Sequence, residues 1–235
     1  KRIAQLLLQP STEAHIDTEL ETAQEEMGIT LASNQLDAVR NCFSHMLTLV
    51  TGGPGTGKTT ILKAVLSVHR QLGGDKVMLM APTGLAARRM AESTGYEGAS
   101  TIHSALSLNF DLDEVADADR PPLDADLIIV DEFTMADMFL AFELFSRITD
   151  GTRVMLLGDV EQLPSVGPGN VFRELLECGR IPTTVLDVIY RQANTSSIVV
   201  NAAAIRSGST KLQYQEDFLF EPCADSDATA EEVER

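Results

Sequence analysis

Eight consecutive residues carry the strongest chemical signal in the sequence. Gly52-Gly53-Pro54-Gly55-Thr56-Gly57-Lys58-Thr59 satisfies the spacing GxxxxGK[ST], with a strand-like run at 46–51 before it and a helical pattern from 59 after it. Glycines at this spacing let backbone N–H groups turn inward around phosphate oxygens, and the start of the following helix adds positive potential. Lys58 is placed to reach β- and γ-phosphates, and the Thr59 hydroxyl to ligate Mg²⁺. The chemistry this implies is binding of a nucleoside triphosphate.

Three further groups fit that chemistry. Leu127-Ile128-Ile129-Val130 is an apolar strand running into Asp131 and Glu132. A carboxylate at a strand end is suited to hold Mg²⁺, and its neighbour to draw a proton from an attacking water. That pairing points to hydrolysis rather than nucleotide storage. The run from Arg153 leads through Gly158-Asp159 to Gln162-Leu163-Pro164, where an amide just past a strand could sense a γ-phosphate or simply sit on a rigid surface loop. Arg191 in Tyr190-Arg191-Gln192 is either a charge-stabilising finger or a surface residue.

These residues need a scaffold, and the hydropathy pattern supplies one. Strand-like runs at 46–51, 76–81, 127–131, 153–159 and 183–186 alternate with helical patterns at 59–72, 84–94, 135–148 and 169–178. Alternation of this kind predicts an α/β fold, a parallel sheet with helices on both faces. A further helix is expected over 11–28, with Ser11 or Thr12 near its start and Gly28 just past its end. Residues 109–126 carry Pro121 and Pro122 among many acids and read as an exposed excursion. Phe139, Phe142 and Phe145 recur at helical spacing and are expected to pack in the core.

The 235 residues carry 18 bases and 35 acids, a net charge of −17, which taken alone disfavours a nucleic-acid binder. The distribution removes that objection. Stretches 1–30, 111–126 and 216–235 hold most of the excess, and without them fourteen acids face fourteen bases. No apolar run approaches the roughly 20 residues of a membrane span, and Leu6 to Leu8 is too short for a secretory signal. Cys42, Cys178 and Cys223 are widely spaced and suggest neither a disulfide framework nor a metal site. A reducing, cytoplasmic setting fits, with no membrane partner.

From about Leu31 to Ser207 the motifs, in order, resemble those of superfamily 1 DNA helicases of the RecD-like branch. The matching residues are Gln35 in Leu31-Ala32-Ser33-Asn34-Gln35; Gly52, Gly53, Pro54, Gly55, Thr56, Gly57, Lys58, Thr59 and Thr60; Ala81-Pro82-Thr83-Gly84; Ser100-Thr101-Ile102-His103; Asp131-Glu132; Gly158-Asp159 with Gln162; and Tyr190-Arg191-Gln192. The resemblance implies a RecA-like P-loop motor that uses ATP and Mg²⁺ and moves 5′→3′ along single-stranded DNA, possible partners being other recombination or repair subunits. It casts Gln35 as the adenine reader and Arg191 as a γ-phosphate contact. Pro82, Thr83, Thr101 and His103 become DNA contacts, although His103 read alone is equally a helix-start residue. It further implies a helical lead-in at 1–30, a motor domain at 31–188 with the 109–126 excursion in place of a small hairpin domain, and the start of a truncated second motor domain at 189–235. Phe133-Thr134-Met135 departs mildly from the small residues usual after the paired carboxylates. The helicase part of a conjugative relaxase, an RNA helicase and a non-catalytic nucleotide switch are the alternatives.

Overall fold

The computed structural model describes residues 1–9, 15–108, 121–187, 196–206 and 208–223. The chain divides into two compact units, 1–189 and 190–235. In the first, the elements run α1 (Arg2–Leu8), α2 (Asp17–Met27), α3 (Ser33–Ser44), β1 (Leu47–Gly52), α4 (Lys58–Gln71), β2 (Val77–Ala81) and α5 (Gly84–Thr94). There follow β3 (Ser100–Thr101), α6 (Ile102–Ala105), β4 (Leu127–Val130), α7 (Met138–Arg147), β5 (Arg153–Gly158), α8 (Val171–Glu177) and β6 (Thr183–Leu186). In the second unit α9 (Ser197–Arg206) is held to the following segment through Asn201, whose amide pairs with both backbone groups of Gln213.

The strands form one sheet in the order β3-β2-β4-β5-β1-β6, and every pairing is parallel. Successive strand residues point to opposite faces, which splits the apolar side chains into two cores. Val50, Leu79, Ile129, Met155 and Leu157 pack with α2, α3, α4 and α5 on one face. Leu49, Met80, Ile128, Val130 and Leu156 pack with α1, α6, α7 and α8 on the other. Both faces are covered, as near-continuous apolar strands require. The expected parallel sheet and its strands are thus present.

Local signals explain the element ends. Gly28 closes α2 in the left-handed conformation at φ 64°, and Asp137 opens α7 by accepting from the Leu140 N–H at 2.8 Å. Phe133 stacks edge-on against Phe145 and Phe172, with centroids 6.5 and 6.3 Å away. A Cβ on Gly158 would lie 2.7 Å from the Phe172 ring, so the end of β5 has no room for a side chain.

Three expectations need correction. The lead-in helix begins at Asp17, not near 11, and Ser11 and Thr12 lie outside the described residues. Residues 109–120 also lie outside them, but at the end of that acidic stretch Leu123 and Ala125 are buried, with Leu123 N–H bonded to the Arg147 carbonyl at 2.8 Å. Apolar side chains beside β4 are drawn into the core whatever their acidic neighbours. Of the three helical phenylalanines only Phe145 is buried; Phe139 and Phe142 are 64% and 65% exposed. At about 100° per residue, Phe142 and Phe145 lie about 60° and 120° round the helix from Phe139, so the three do not share one face. Within the expected helical lead-in at 1–30, α1 is a short helix that buries Leu6.

Truncating Phe133 should therefore lower stability by about 3–5 kcal/mol, whereas Phe142→Ala should stay within about 0.5 kcal/mol of wild type. Urea unfolding of both variants checks the contrast.

Candidate nucleotide site and nucleic-acid edge

The glycine-rich loop leaves β1 at the carboxyl edge of the sheet and turns directly into α4. Gly55 and Gly57 hold φ values of 80° and 92°, a region that L side chains rarely adopt. The Thr56 hydroxyl donates to the Gly53 carbonyl at 2.8 Å and closes the loop on itself. Gly52 has no alternative: a Cβ there would stand 2.7 Å from the Leu186 Cβ and 2.8 Å from Thr56 Oγ1. Lys58 bends back across the loop, its Nζ donating to the Gly52 carbonyl at 2.5 Å. Thr59 and Thr60 follow in the first turn of α4. Pro54 and Thr59 are exposed on the open side.

Gln35 approaches from α3. Its Oε1 accepts from the Ala32 N–H at 3.1 Å, capping its own helix, and its Nε2 reaches the Thr56 carbonyl at 3.5 Å. The side chain is 5% exposed, and its amide occupies the space that a Cβ on Gly57 would need. Gln35 thus braces the loop from behind.

Asp131 and Glu132 follow β4, two strands away from β1. Burial pushes the Asp131 carboxyl up, opposed by the Glu132 N–H bonded to its Oδ1 at 2.9 Å and by the Lys58 charge. Glu132 is also raised, first by burial, then by the negative charges of Asp131 and Asp159, with Lys58 pulling the other way. Glu132 sits at φ 52°, in the left-handed region, and its Oε2 is buried without a hydrogen-bond partner. A non-glycine residue in that conformation stores strain, which here is held by the buried Phe133 next to it. Asp159, 3% exposed at the end of β5, accepts from the Glu161 N–H at 3.1 Å and from Gln162 Nε2 at 3.4 Å. Gln162 itself is exposed.

The loop, Lys58, Thr59, Asp131, Glu132 and Gln162 therefore share one edge, where β4, β5 and β1 are consecutive in the sheet. Hard oxygen donors, one ammonium, a glycine cradle and an orphaned carboxylate oxygen fit a magnesium-bound nucleoside triphosphate. Arg191 lies outside the described residues.

Pro82, Thr83, Thr101 and His103 lie along the same edge at its β2–β3 end. Met80 pairs with Ser100 and Ala81 with Thr101, which brings the two segments side by side. Both hydroxyls cap helices: Thr83 accepts from Ala86 N–H at 3.2 Å, and Thr101 from Ser104 N–H at 3.0 Å. Thr83 is exposed, and Pro82, Thr101 and His103 are half-buried.

Comparison with known proteins places the scaffold. A family model described as an AAA domain matches residues 30–219. The chain belongs to that family. It is 38% identical over 178 residues to the ATP-dependent RecD2 DNA helicase of Deinococcus radiodurans, a match that covers 76% of this chain and 24% of that protein. It is 34% identical over 180 residues to the RecBCD enzyme subunit RecD of Haemophilus influenzae, covering 67% of this chain and 28% of that protein. The chain spans about a quarter of the length of these two relatives. Among solved structures, the Pif1 helicase of Candida albicans superposes with a TM-score of 0.57 at 22% identity, over 78% of this chain and 45% of that one. That likeness supports the P-loop, RecA-like sheet. The RecD-like resemblance read from the motifs is upheld, and membership of this nucleotide-binding family is consistent with the loop geometry. Among the described residues no helix is long and apolar enough to cross a membrane.

The raised carboxyls carry a pH dependence. Between the ordinary carboxylate range and their raised folded values, the folded chain holds protons that the unfolded chain has shed. Stability contributed by Asp131 and Glu132 is therefore complete below the ordinary range and lost as pH rises through the folded values. Glu132→Gln should raise the melting midpoint at neutral pH by about 2–4 °C and flatten its decline with pH. Calorimetry across pH 4 to 8, a range set by the ordinary carboxylate values, provides the check.

Proposed function

We propose that the chain is the motor portion of an ATP-dependent DNA helicase, coupling Mg-ATP hydrolysis to 5′→3′ movement on single-stranded DNA in recombination or repair. The observation that carries this reading is the meeting of Lys58, Asp131 and the unpartnered Glu132 Oε2 at the mouth of the glycine loop. The names of the relatives, an ATP-dependent DNA helicase and a RecBCD subunit, support it and suggest recombination or repair subunits as partners. In this reading residues 31–188 are the motor domain, 1–30 its lead-in and 189–235 the start of a second motor domain, in a cytoplasmic protein.

Bound Mg-ATP supplies the phosphoanhydride bond and a cation that neutralises its charge. The chain does the rest. Loop N–H groups and Lys58 Nζ, once released from the Gly52 carbonyl, hold the phosphate oxygens, and Thr59 and Asp131 present oxygens to the metal. Glu132 accepts a proton from water at Oε2, a role its raised affinity for protons suits. Gln162, tethered to Asp159, orients that water, and Arg191 adds positive charge at the γ-phosphate. Gln35 keeps the loop in shape. Pro82, Thr83, Thr101 and His103 contact single-stranded DNA at the β2–β3 end, apart from the nucleotide.

Steady-state ATP hydrolysis by the full-length parent, with and without single-stranded DNA, tests the proposal. Turnover should be stimulated by DNA and abolished by Lys58→Ala. Glu132→Gln should slow it by roughly 10²-fold or more. Combined substitution of Thr83 and His103 by Ala should lower the DNA-stimulated rate far more than the basal one. Wild-type turnover in Lys58→Ala would overturn the assignment.

A further inference from the structure

The core face of α7 carries one residue that its periodicity does not call for. Leu140, Leu144 and Arg147 stand at i, i+4 and i+7, so Arg147 falls on the stripe that packs against the sheet. An apolar side chain is expected there, yet the arginine is only 7% exposed. Its Nη1 donates to the Leu106 carbonyl at 2.6 Å and its Nη2 meets Glu143 Oε2 at 3.3 Å. Its Nε is buried with no hydrogen-bond partner among the described residues. Burial of a charge with one donor unmet is costly, so core packing by itself does not account for an arginine here.

What Arg147 reaches is the end of α6. That helix has four residues, too few to hold itself, because a single turn fixes several backbone dihedrals for one hydrogen bond. It has to be held from outside. At its start the Thr101 hydroxyl accepts from the Ser104 N–H, and along it Ile102 and Leu106 are buried. Past its end the chain turns through Ser107 at φ 49°, a left-handed conformation that strains a residue with a Cβ. The Leu108 N–H then returns to the His103 carbonyl at 2.9 Å. Carbonyls at a helix end lack partners inside the helix, and Arg147 supplies one to Leu106, just before the strained turn. The backbone of Arg147 acts on the neighbouring segment: its carbonyl accepts from the Leu123 N–H at 2.8 Å. One residue thus fastens both α6 and the approach to β4 to the end of α7.

We infer that Arg147 is a positioning residue for the proposed nucleic-acid edge. Buried itself, it meets no DNA; it fixes the end of α6 and so the place where His103 is presented. The inference rests on the reading of Thr101 and His103 as DNA contacts.

ATP hydrolysis by the full-length parent, titrated with an oligo(dT) single strand, tests it. Arg147→Met fills similar space without the donors. It should raise the half-saturating DNA concentration about tenfold, while maximal turnover changes by less than about twofold. Arg147→Lys, which keeps a donor on a chain of similar length, should recover most of that loss. Leu140→Ala, a core truncation at the other end of α7, controls for general loosening. It should lower the melting temperature without moving the DNA dependence. If Arg147→Met does not fold, Arg147→Gln takes its place with the same expectation. An unchanged half-saturating concentration in the folded variant overturns the inference, as does no recovery in Arg147→Lys or an equal rise in Leu140→Ala. His103→Ala separates this inference from the reading beneath it. If that variant leaves the DNA dependence unchanged, the nucleic-acid edge itself is wrong. If it raises the half-saturating concentration and Arg147→Met does not, only the positioning role falls.

Discussion

Two carboxylates and one ammonium share a half-buried edge with too little water to solvate them fully. Burial works against the charged forms of Asp131 and Glu132, and Lys58 offsets only part of that penalty. Such a cluster persists only if the surrounding structure holds it there. The parallel sheet does so by ending β4, β5 and β1 side by side, each strand buried between two helical layers but for Arg153 at the start of β5. Phe133, locked against Phe145 and Phe172, then pins the chain one residue beyond Glu132 and maintains its left-handed backbone. Stability is sacrificed at the edge and recovered in the core beneath it.

The same sheet order separates tasks along that edge. The proposed phosphate chemistry falls in the middle, where β4, β5 and β1 end. Thr83 and Thr101 cap their helices at the β2–β3 end, and at the carboxyl end of β2 the Met80 carbonyl accepts from the Asp131 N–H at 2.9 Å. One backbone hydrogen bond thus joins the strand beside the proposed nucleic-acid edge to the proposed metal ligand.

Much of this was legible in the sequence because the relevant signals are local. GxxxxGK[ST] demands a strand before it and a helix after it, and apolar runs fully buried between helices need no alternation to be found. What the sequence hid depends on tertiary packing. The spacing of Phe139, Phe142 and Phe145 says nothing about how far a helix is covered, and two of the three proved exposed. Leu123 and Ala125 looked like part of an acidic surface stretch, yet proximity to β4 buries them. Gln35 was recognisable by motif, but the engagement of both ends of its amide, and the orphaned oxygen of Asn34 beside it, exist only once α3 meets the loop and β6. Arg191 was read from its motif and lies outside the described residues.

The central claim is that Asp131 and Glu132 divide their labour, one holding the metal and the other receiving a proton. Equilibrium titration of a non-hydrolysable ATP analogue, with and without Mg²⁺, tests it most directly in wild type, Asp131→Ala and Glu132→Gln. The account predicts that Mg²⁺ tightens binding in wild type and in Glu132→Gln but has little effect in Asp131→Ala. Equal loss of the Mg²⁺ effect in both variants would contradict it.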